Sequence, residues 1–136
     1  MKKVSLLMSV LMVALIAFTS CSKSTPESVT ESFLKSYQKG DYAALVEQAH
    51  FTQPLTDEQK TELTQMLEAK GSAEVEKKQG IASYEVGEVV MAEDGQSAKV
   101  NYTITFGDGT TRTDKQSVVL VDGKWMIDGG KLVLMR

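Results

Sequence analysis

The sequence predicts an α+β domain in which N-terminal helices pack on one face of a curved antiparallel sheet of about four strands. Two observations carry this prediction. In the segment that begins after residue 24, apolar residues first recur at helical spacing. After residue 80 they alternate with polar residues. Asp-Gly and similar turn sequences separate the alternating segments, as is typical of strands joined by hairpins.

The first 20 residues differ from the rest of the chain and are interpreted as an export signal. Lys2 and Lys3 give a positive start, and residues 4–18 are apolar apart from two serines. This run is shorter than the about 20 residues that a transmembrane helix needs. A positive start before a short apolar run is typical of a secretory signal peptide, so we expect residues 1–20 to be removed.

The end of this segment, Phe18-Thr19-Ser20-Cys21, resembles the lipobox of bacterial lipoproteins. That resemblance implies cleavage between Ser20 and Cys21, diacylglycerol on the Cys21 thiol and usually an acyl group such as palmitate on the freed amine. Phe18 departs from the family, which most often has Leu there. The alternative is an uncleaved anchor with an incidental cysteine. We expect an exported chain, anchored by lipid to a bacterial membrane and facing the periplasm.

Charge and cysteine usage limit the possible partners. The mature chain retains 13 of the 15 basic and all 18 acidic side chains, a formal charge of −5. This acidic balance argues against nucleic-acid binding, which depends on phosphate contacts. Cys21 is the only cysteine, so no intramolecular disulfide can form. We expect residues 21–24 to be a lipidated tether and residues 25–136 a domain stabilised by its core alone.

The first helix is predicted to begin at residue 25 or 26. Ser24 or Thr25 can act as its N-cap, and Pro26 suits its first turn. Val29, Phe33 and Tyr37 then recur every four residues and form an apolar stripe, with Leu34 beside them.

Two further helices are expected. Gly40-Asp41 ends the first helix and caps a second, whose apolar positions run from Tyr42 to Ala49. Thr56 and Gln59 form a capping box for a third helix. Its buried stripe is predicted to be Leu63, Met66 and Leu67, and Lys70-Gly71 is its predicted stop. Residues 72–80 are given no structure.

Four strands follow. Between Ala98 and Phe106 apolar and polar residues alternate, which predicts a strand with one buried face. Strands are also expected over residues 81–91, from about 112 to 121, and over 124–128, joined by turns at Gly95, Gly109 and Gly123. Residues 131–135 are a candidate for a short further strand.

The helical part contains Phe33, Tyr37 and then Gly40-Asp41-Tyr42-Ala43-Ala44-Leu45, which looks like the opening of nuclear transport factor 2-like (NTF2-like) domains. The later sequence Asp122-Gly123-Lys124-Trp125 is similar to a branch of small lipoproteins of unknown function. The resemblance implies a cone-shaped fold, with the sheet wrapped around helices to leave a pocket. It leaves function open, because some members are enzymes and others only bind ligands or partners.

No residue cluster predicts catalysis, a metal or a cofactor. His50 is the only histidine and is placed at the end of the second helix near Glu47, and Asp41 is interpreted as an N-cap. We expect both His50 and Asp41 to be dispensable for function. Glu85 and Glu88 fall on opposite faces of the first long strand, so only one can face inward.

The candidate ligand-lining residues are apolar or aromatic and come from the first helix and the central strand: Phe33, Tyr37, Val100, Tyr102 and Ile104. They favour a tethered domain that binds a small ligand or a protein partner without catalysis. One alternative is a small ketosteroid isomerase-like or dehydratase-like enzyme that uses the same cone. Another is a pure protein-interaction module, which would show a filled core and an exposed apolar patch. The oligomeric state is left open.

Overall fold

The structure, a computed structural model, describes residues 24–132. Its helices and strands, in chain order, are α1 (Pro26–Lys39), α2 (Tyr42–Glu47), β1 (Ala49–His50), α3 (Asp57–Lys77), β2 (Ile81–Met91), β3 (Ser97–Phe106), β4 (Thr111–Val121) and β5 (Lys124–Asp128). A 3₁₀ turn, Gly129–Lys131, follows β5, and most of the candidate strand at residues 131–135 lies outside the described residues. The predicted signal peptide, the cleavage site before Cys21 and residues 133–136 lie outside the described part of the chain.

The predicted capping box of α3 is present, and the predicted N-cap Thr25 of α1 also forms a capping box. At the start of α1, the Thr25 hydroxyl accepts a hydrogen bond from Ser28 N at 3.0 Å, and the Ser28 hydroxyl accepts one from Thr25 N at 2.8 Å. At the start of α3, Thr56 and Gln59 make the same reciprocal pair at 3.2 and 2.9 Å. These bonds satisfy N–H groups that would otherwise lack helical partners. The predicted starts of both helices are confirmed.

The third helix extends beyond its predicted end. It continues through Lys70-Gly71 to Lys77, and Gly71 is a buried residue in its interior. A Cβ atom at Gly71 would lie 2.7 Å from the Tyr42 ring, so glycine permits the close approach of α2 and α3 and does not cap the helix. The predicted buried stripe is also partly wrong, because Leu67 is fully buried but Met66 is 49% exposed.

The sheet has five strands in the order β1-β5-β4-β3-β2. Strands β2 to β5 form the predicted antiparallel meander. The fifth strand, β1, lies parallel to β5 and pairs Ala49 with Ile127 and His50 with Asp128. The predicted α+β fold is therefore confirmed, and β1 adds one short parallel strand to the four expected. The placement of His50 at a helix end was wrong, because His50 lies in β1. Two residues are too few to show an alternating pattern, and the partner strand is distant in sequence.

The core lies between the helices and the inner face of β3. All five predicted apolar positions of β3 point into it, and none is more than 4% exposed: Ala98, Val100, Tyr102, Ile104 and Phe106. Phe33, Leu34 and Tyr37 of α1 belong to the same cluster. The alternation in β3 thus places its apolar face toward α1, as predicted.

Candidate functional site

The five predicted ligand-lining residues come together in the core. Phe33, Tyr37, Val100, Tyr102 and Ile104 belong to one cluster, and none is more than 2% exposed. The side chains from α1 and β3 therefore lie together in the core, as the sequence predicts. Their burial leaves almost no solvent-facing surface, so a ligand could reach them only if the core opened. Their role in binding stays a prediction.

Next to this cluster lies a group of polar residues that we call the charged cluster: Tyr37, Glu74, Arg112 and Asp114. Glu74 of α3 accepts two hydrogen bonds at the same oxygen, Oε1. The Tyr37 hydroxyl donates one at 3.1 Å, and Arg112 Nη1 donates the other at 2.7 Å. Arg112 Nη2 also lies 3.6 Å from Asp114 Oδ2. The charged cluster links α1 and α3 to β4 at the edge of the core.

The pKa values in this region are shifted by burial and by Glu74. Burial, reinforced by the negative charge of Glu74, raises the pKa of Tyr37 well above its usual range. Burial also raises the pKa of Tyr42, whose ring packs edge-on against Tyr37 with centroids 6.2 Å apart. For Arg112, burial acts to lower the pKa, but the Glu74 carboxylate acts against it and the pKa is raised. Both phenols therefore stay neutral, and the guanidinium stays charged.

This arrangement suits hydrogen-bond donation better than proton abstraction. A general base works best when its pKa lies near the working pH, whereas the pKa of Tyr37 is shifted away from that range. Glu74 Oε1 is already occupied by two donors. The ionisable groups that an enzyme could use in the charged cluster are thus already hydrogen-bonded to one another within the domain.

The charged cluster was not predicted, because Glu74 lies in residues 72–80, for which the sequence predicts no structure. A signal was available: Leu67, Gly71 and Glu74 are spaced by four and three residues and so share one face of a helix. Arg112 and Asp114 likewise alternate along β4 toward the buried Gln116. Their contact with Glu74 joins residues 38 positions apart and has no local pattern.

The dispensability of Asp41 and His50 stays a prediction. The Asp41 carboxylate accepts a hydrogen bond from Ala44 N at 3.1 Å, so it caps α2 as predicted. His50 is half-buried in β1, next to β5. Glu47, the predicted partner of His50, instead lies 3.6 Å from Lys60 Nζ.

The sequence places two glutamates of β2 on opposite faces, so that at most one can face inward. Glu85 and Glu88 are both exposed. The pairing of β2 with β3 shifts register between Val86 and Val89, and this irregularity changes the alternation of faces on which the interpretation rested.

Surface grooves lie beside the helices and at the end of the sheet. The α2–α3 groove has a volume of about 470 Å³ and is lined by residues that include Ala43, Val46, Lys60 and Thr64. The α1–β5 groove, of about 340 Å³, includes Ser24, Val29, Gln48, Lys124, Trp125 and Met126. The sheet-end groove, of about 270 Å³, includes Val90, Met91, Ala98 and Val118.

Neither a metal centre nor a membrane-spanning helix is found in the described part of the chain. Within residues 24–132, no group of three or more His, Cys, Asp or Glu side chains is arranged to hold a metal ion. None of the helices in that range is both long enough and apolar enough to cross a bilayer.

The raised pKa of Tyr37 predicts a pH dependence of stability. Because the folded pKa lies above the usual value of 10.0, the resulting stabilisation is present below pH 10 and is lost as the pH rises above it. Chemical denaturation between pH 8 and about pH 12 should therefore show a steeper alkaline loss of stability in the wild-type chain than in Tyr37→Phe. Equal slopes for the two chains would contradict the assigned environment of Tyr37.

Comparison with known proteins gives a family and a fold. Residues 19–128 match the family described as "Domain of unknown function (DUF4878)". A candidate NTF2-like transpeptidase from Campylobacter jejuni has a similar crystal structure, with a TM-score of 0.63 and 20% identity over 76% of this chain and 97% of that one. The intermembrane space region of chloroplast protein ARC6 aligns with a TM-score of only 0.37 and 14% identity, over 76% of this chain and 93% of that one. No curated protein matches the sequence.

Proposed function

This chain belongs to the DUF4878 family and has an NTF2-like fold, and from that premise we propose that it is a lipoprotein whose domain binds a partner without catalysing a reaction. The lipid on Cys21 holds the domain to a bacterial membrane on its periplasmic side. The bound species is a small ligand or a protein, and the distribution of apolar surface favours a protein.

One observation carries this proposal: the interior of the fold is closed, while apolar side chains are exposed at the end of β2. The core residues Phe33 and Val100 are both 0% exposed. In contrast, Val90 and Met91 are 51% and 49% exposed, although both are large and apolar. Neighbouring apolar residues on a surface are a feature of interaction sites, whereas an enzyme of this fold would need access to its cone.

The surroundings of Val90 and Met91 resemble those of a binding surface. Both residues line the sheet-end groove, which Lys99, Asp128 and Lys131 also border. Val90 pairs with Lys99 and Met91 pairs with Ala98, so the two side chains point to opposite faces at the end of the sheet. Met91, Ala98 and Val118 form the apolar part of the groove, which Asp128 and Lys131 border. Val90 and Met91 also lie on β2, which is the last strand of the sheet and so leaves backbone groups along one edge for a partner strand.

The charged cluster is the observation that favours the alternative, an enzyme of the ketosteroid isomerase or dehydratase type. Tyr37, Glu74 and Arg112 are ionisable groups that meet beside the core, and two of them have shifted pKa values. Such clusters occur at active sites and also in structural ion-pair networks. We favour the structural role because the Tyr37 and Arg112 groups already bind Glu74.

In-cell crosslinking tests the proposed function. A photoreactive amino acid at Met91 should give a discrete crosslinked product in cells that make the full chain, because this side chain lies in the binding surface. Met66 is the matched control, since it is also a methionine, is also 49% exposed and lies on α3. We expect no discrete product from position 66.

Two outcomes would contradict the proposal. The binding surface is wrong if position 91 gives no discrete product, or the same products as position 66. The enzyme alternative is favoured if Glu74→Gln folds normally and retains the Met91 crosslink, yet abolishes the cellular function of the chain.

A further inference from the structure

The beginning of the domain is attached to the sheet through Ser24. The Ser24 hydroxyl accepts a hydrogen bond from Trp125 N at 2.8 Å and lies 3.4 Å from Trp125 O, to which it donates. Trp125 belongs to β5, which has a neighbouring strand on each side. The point where the chain enters the domain is therefore fixed relative to the sheet.

Only two residues, Ser22 and Lys23, separate Cys21 from Ser24. Three residue steps span at most about 10–11 Å when fully extended. The headgroup layer of one leaflet is about 5–8 Å thick, and the lipid chains on a cysteine begin at its inner boundary. Ser24 can therefore lie no more than a few ångströms, on the order of 5 Å, beyond the headgroups.

We propose that the α1–β5 groove faces the membrane and contacts the headgroups of the lipids around the anchor. This inference rests on the proposed lipidation of Cys21. It adds a fixed orientation, in which the surface around Ser24 and Trp125 lies against the bilayer and the sheet-end groove remains available to a partner.

The chemistry of the groove fits a headgroup layer. Met126 supplies a flexible, half-buried apolar side chain, and Trp125, which is only 9% exposed, belongs to the core beneath the groove. The groove is also lined by the exposed Ser28 and Ser32, whose hydroxyls suit phosphate and glycerol oxygens. The exposed ammonium of Lys124 suits a phosphate.

The charges of the groove favour zwitterionic headgroups. Lys124 is accompanied by Glu47, so the lining residues carry one charge of each sign. An ammonium group, such as that of ethanolamine, can donate to the exposed carboxylate of Glu47, and the adjoining phosphate can accept from Lys124.

Fluorescence quenching tests this orientation, because Trp125 is the only tryptophan of the chain. The mature, lipidated protein is reconstituted in vesicles of phosphatidylethanolamine and phosphatidylglycerol that contain lipids with a nitroxide on the headgroup. We expect strong quenching of Trp125, since nitroxides act only over a short distance. The same vesicles without nitroxide give the unquenched reference.

Two variants separate orientation from membrane attachment. A flexible insert of about 12 Gly and Ser residues before Ser24 adds a mean span of roughly 17–21 Å and should remove most of the quenching while the protein remains bound. A reporter moved by Trp125→Phe and Thr111→Trp should also escape quenching. Thr111 lies at the opposite end of β4 from Val121, at a distance of roughly 33 Å.

The possible failures are distinguishable. A chain without lipid at Cys21 would overturn both the proposed function and this inference. A lipidated, vesicle-bound chain whose Trp125 is unquenched, or is quenched equally with and without the insert, would overturn the orientation alone. Equal quenching of the Thr111→Trp reporter would also overturn it, because it would show that the domain has no preferred face toward the membrane.

Discussion

Phe33→Ala should lower the free energy of unfolding by about 3–5 kcal/mol, the range for a buried aromatic side chain that is truncated to a methyl group. Phe33 is 0% exposed and shares one core cluster with Val100 and Ile104 of β3. The substitution removes apolar contacts and leaves a cavity between α1 and the sheet. A small domain is stable by only about 5–15 kcal/mol, so this loss is a large fraction of the total.

Urea denaturation of the domain comprising residues 25–136 measures this effect, with Lys35→Ala as the matched control. Lys35 is exposed on the same helix, so its substitution should change the stability by no more than about ±0.5 kcal/mol. An unchanged midpoint for Phe33→Ala would show that α1 does not pack through this side chain, and the assignment of the core would be wrong.

Cys21→Ala should abolish both the acylation and the cleavage of the chain, because the lipoprotein signal peptidase acts on a lipid-modified cysteine. The variant should accumulate as a precursor that retains residues 1–20 and carries no lipid. Ser22→Ala is the matched control and should mature normally, since it leaves the cysteine and its preceding residues intact. Normal maturation of Cys21→Ala would contradict the assignment of the lipobox.

Features encoded by neighbouring residues could be predicted from the sequence. The bounds of β2 and β5 and the starts of α1 and α3 follow from alternation, turn residues, an N-cap followed by proline and a capping box, each of which spans only a few positions. The β3 prediction succeeded for the same reason, because one strand contains the whole alternating pattern.

Features that depend on distant contacts could not be predicted in this way. Gly71 has the local signature of a helix stop, but its place inside α3 is determined by the Tyr42 ring of α2. His50 follows a helical pattern, yet it pairs with Asp128 of β5. In both cases a tertiary contact overrides the local preference of the sequence.

The same distinction between local patterns and distant contacts applies to the residues of the candidate site. The apolar members, such as Phe33 and Tyr102, could be named from periodicity because each belongs to a regular stripe. The charged members, Glu74 and Arg112, interact across the fold, and only the structure brings them within 2.7 Å of each other. The exposure of Val90 and Met91 likewise depends on their position at the end of the edge strand.

The central claim, that this NTF2-like domain is held to a membrane by lipid on Cys21, is most directly tested by the intact mass of the wild-type chain extracted from membranes with detergent. The expected mass is that of residues 21–136 with diacylglycerol and one further acyl chain at the N-terminus. More than one lipid chain is expected because a single chain binds a membrane only marginally. A mature chain that begins at another residue, or that begins at Cys21 without lipid, would contradict the claim.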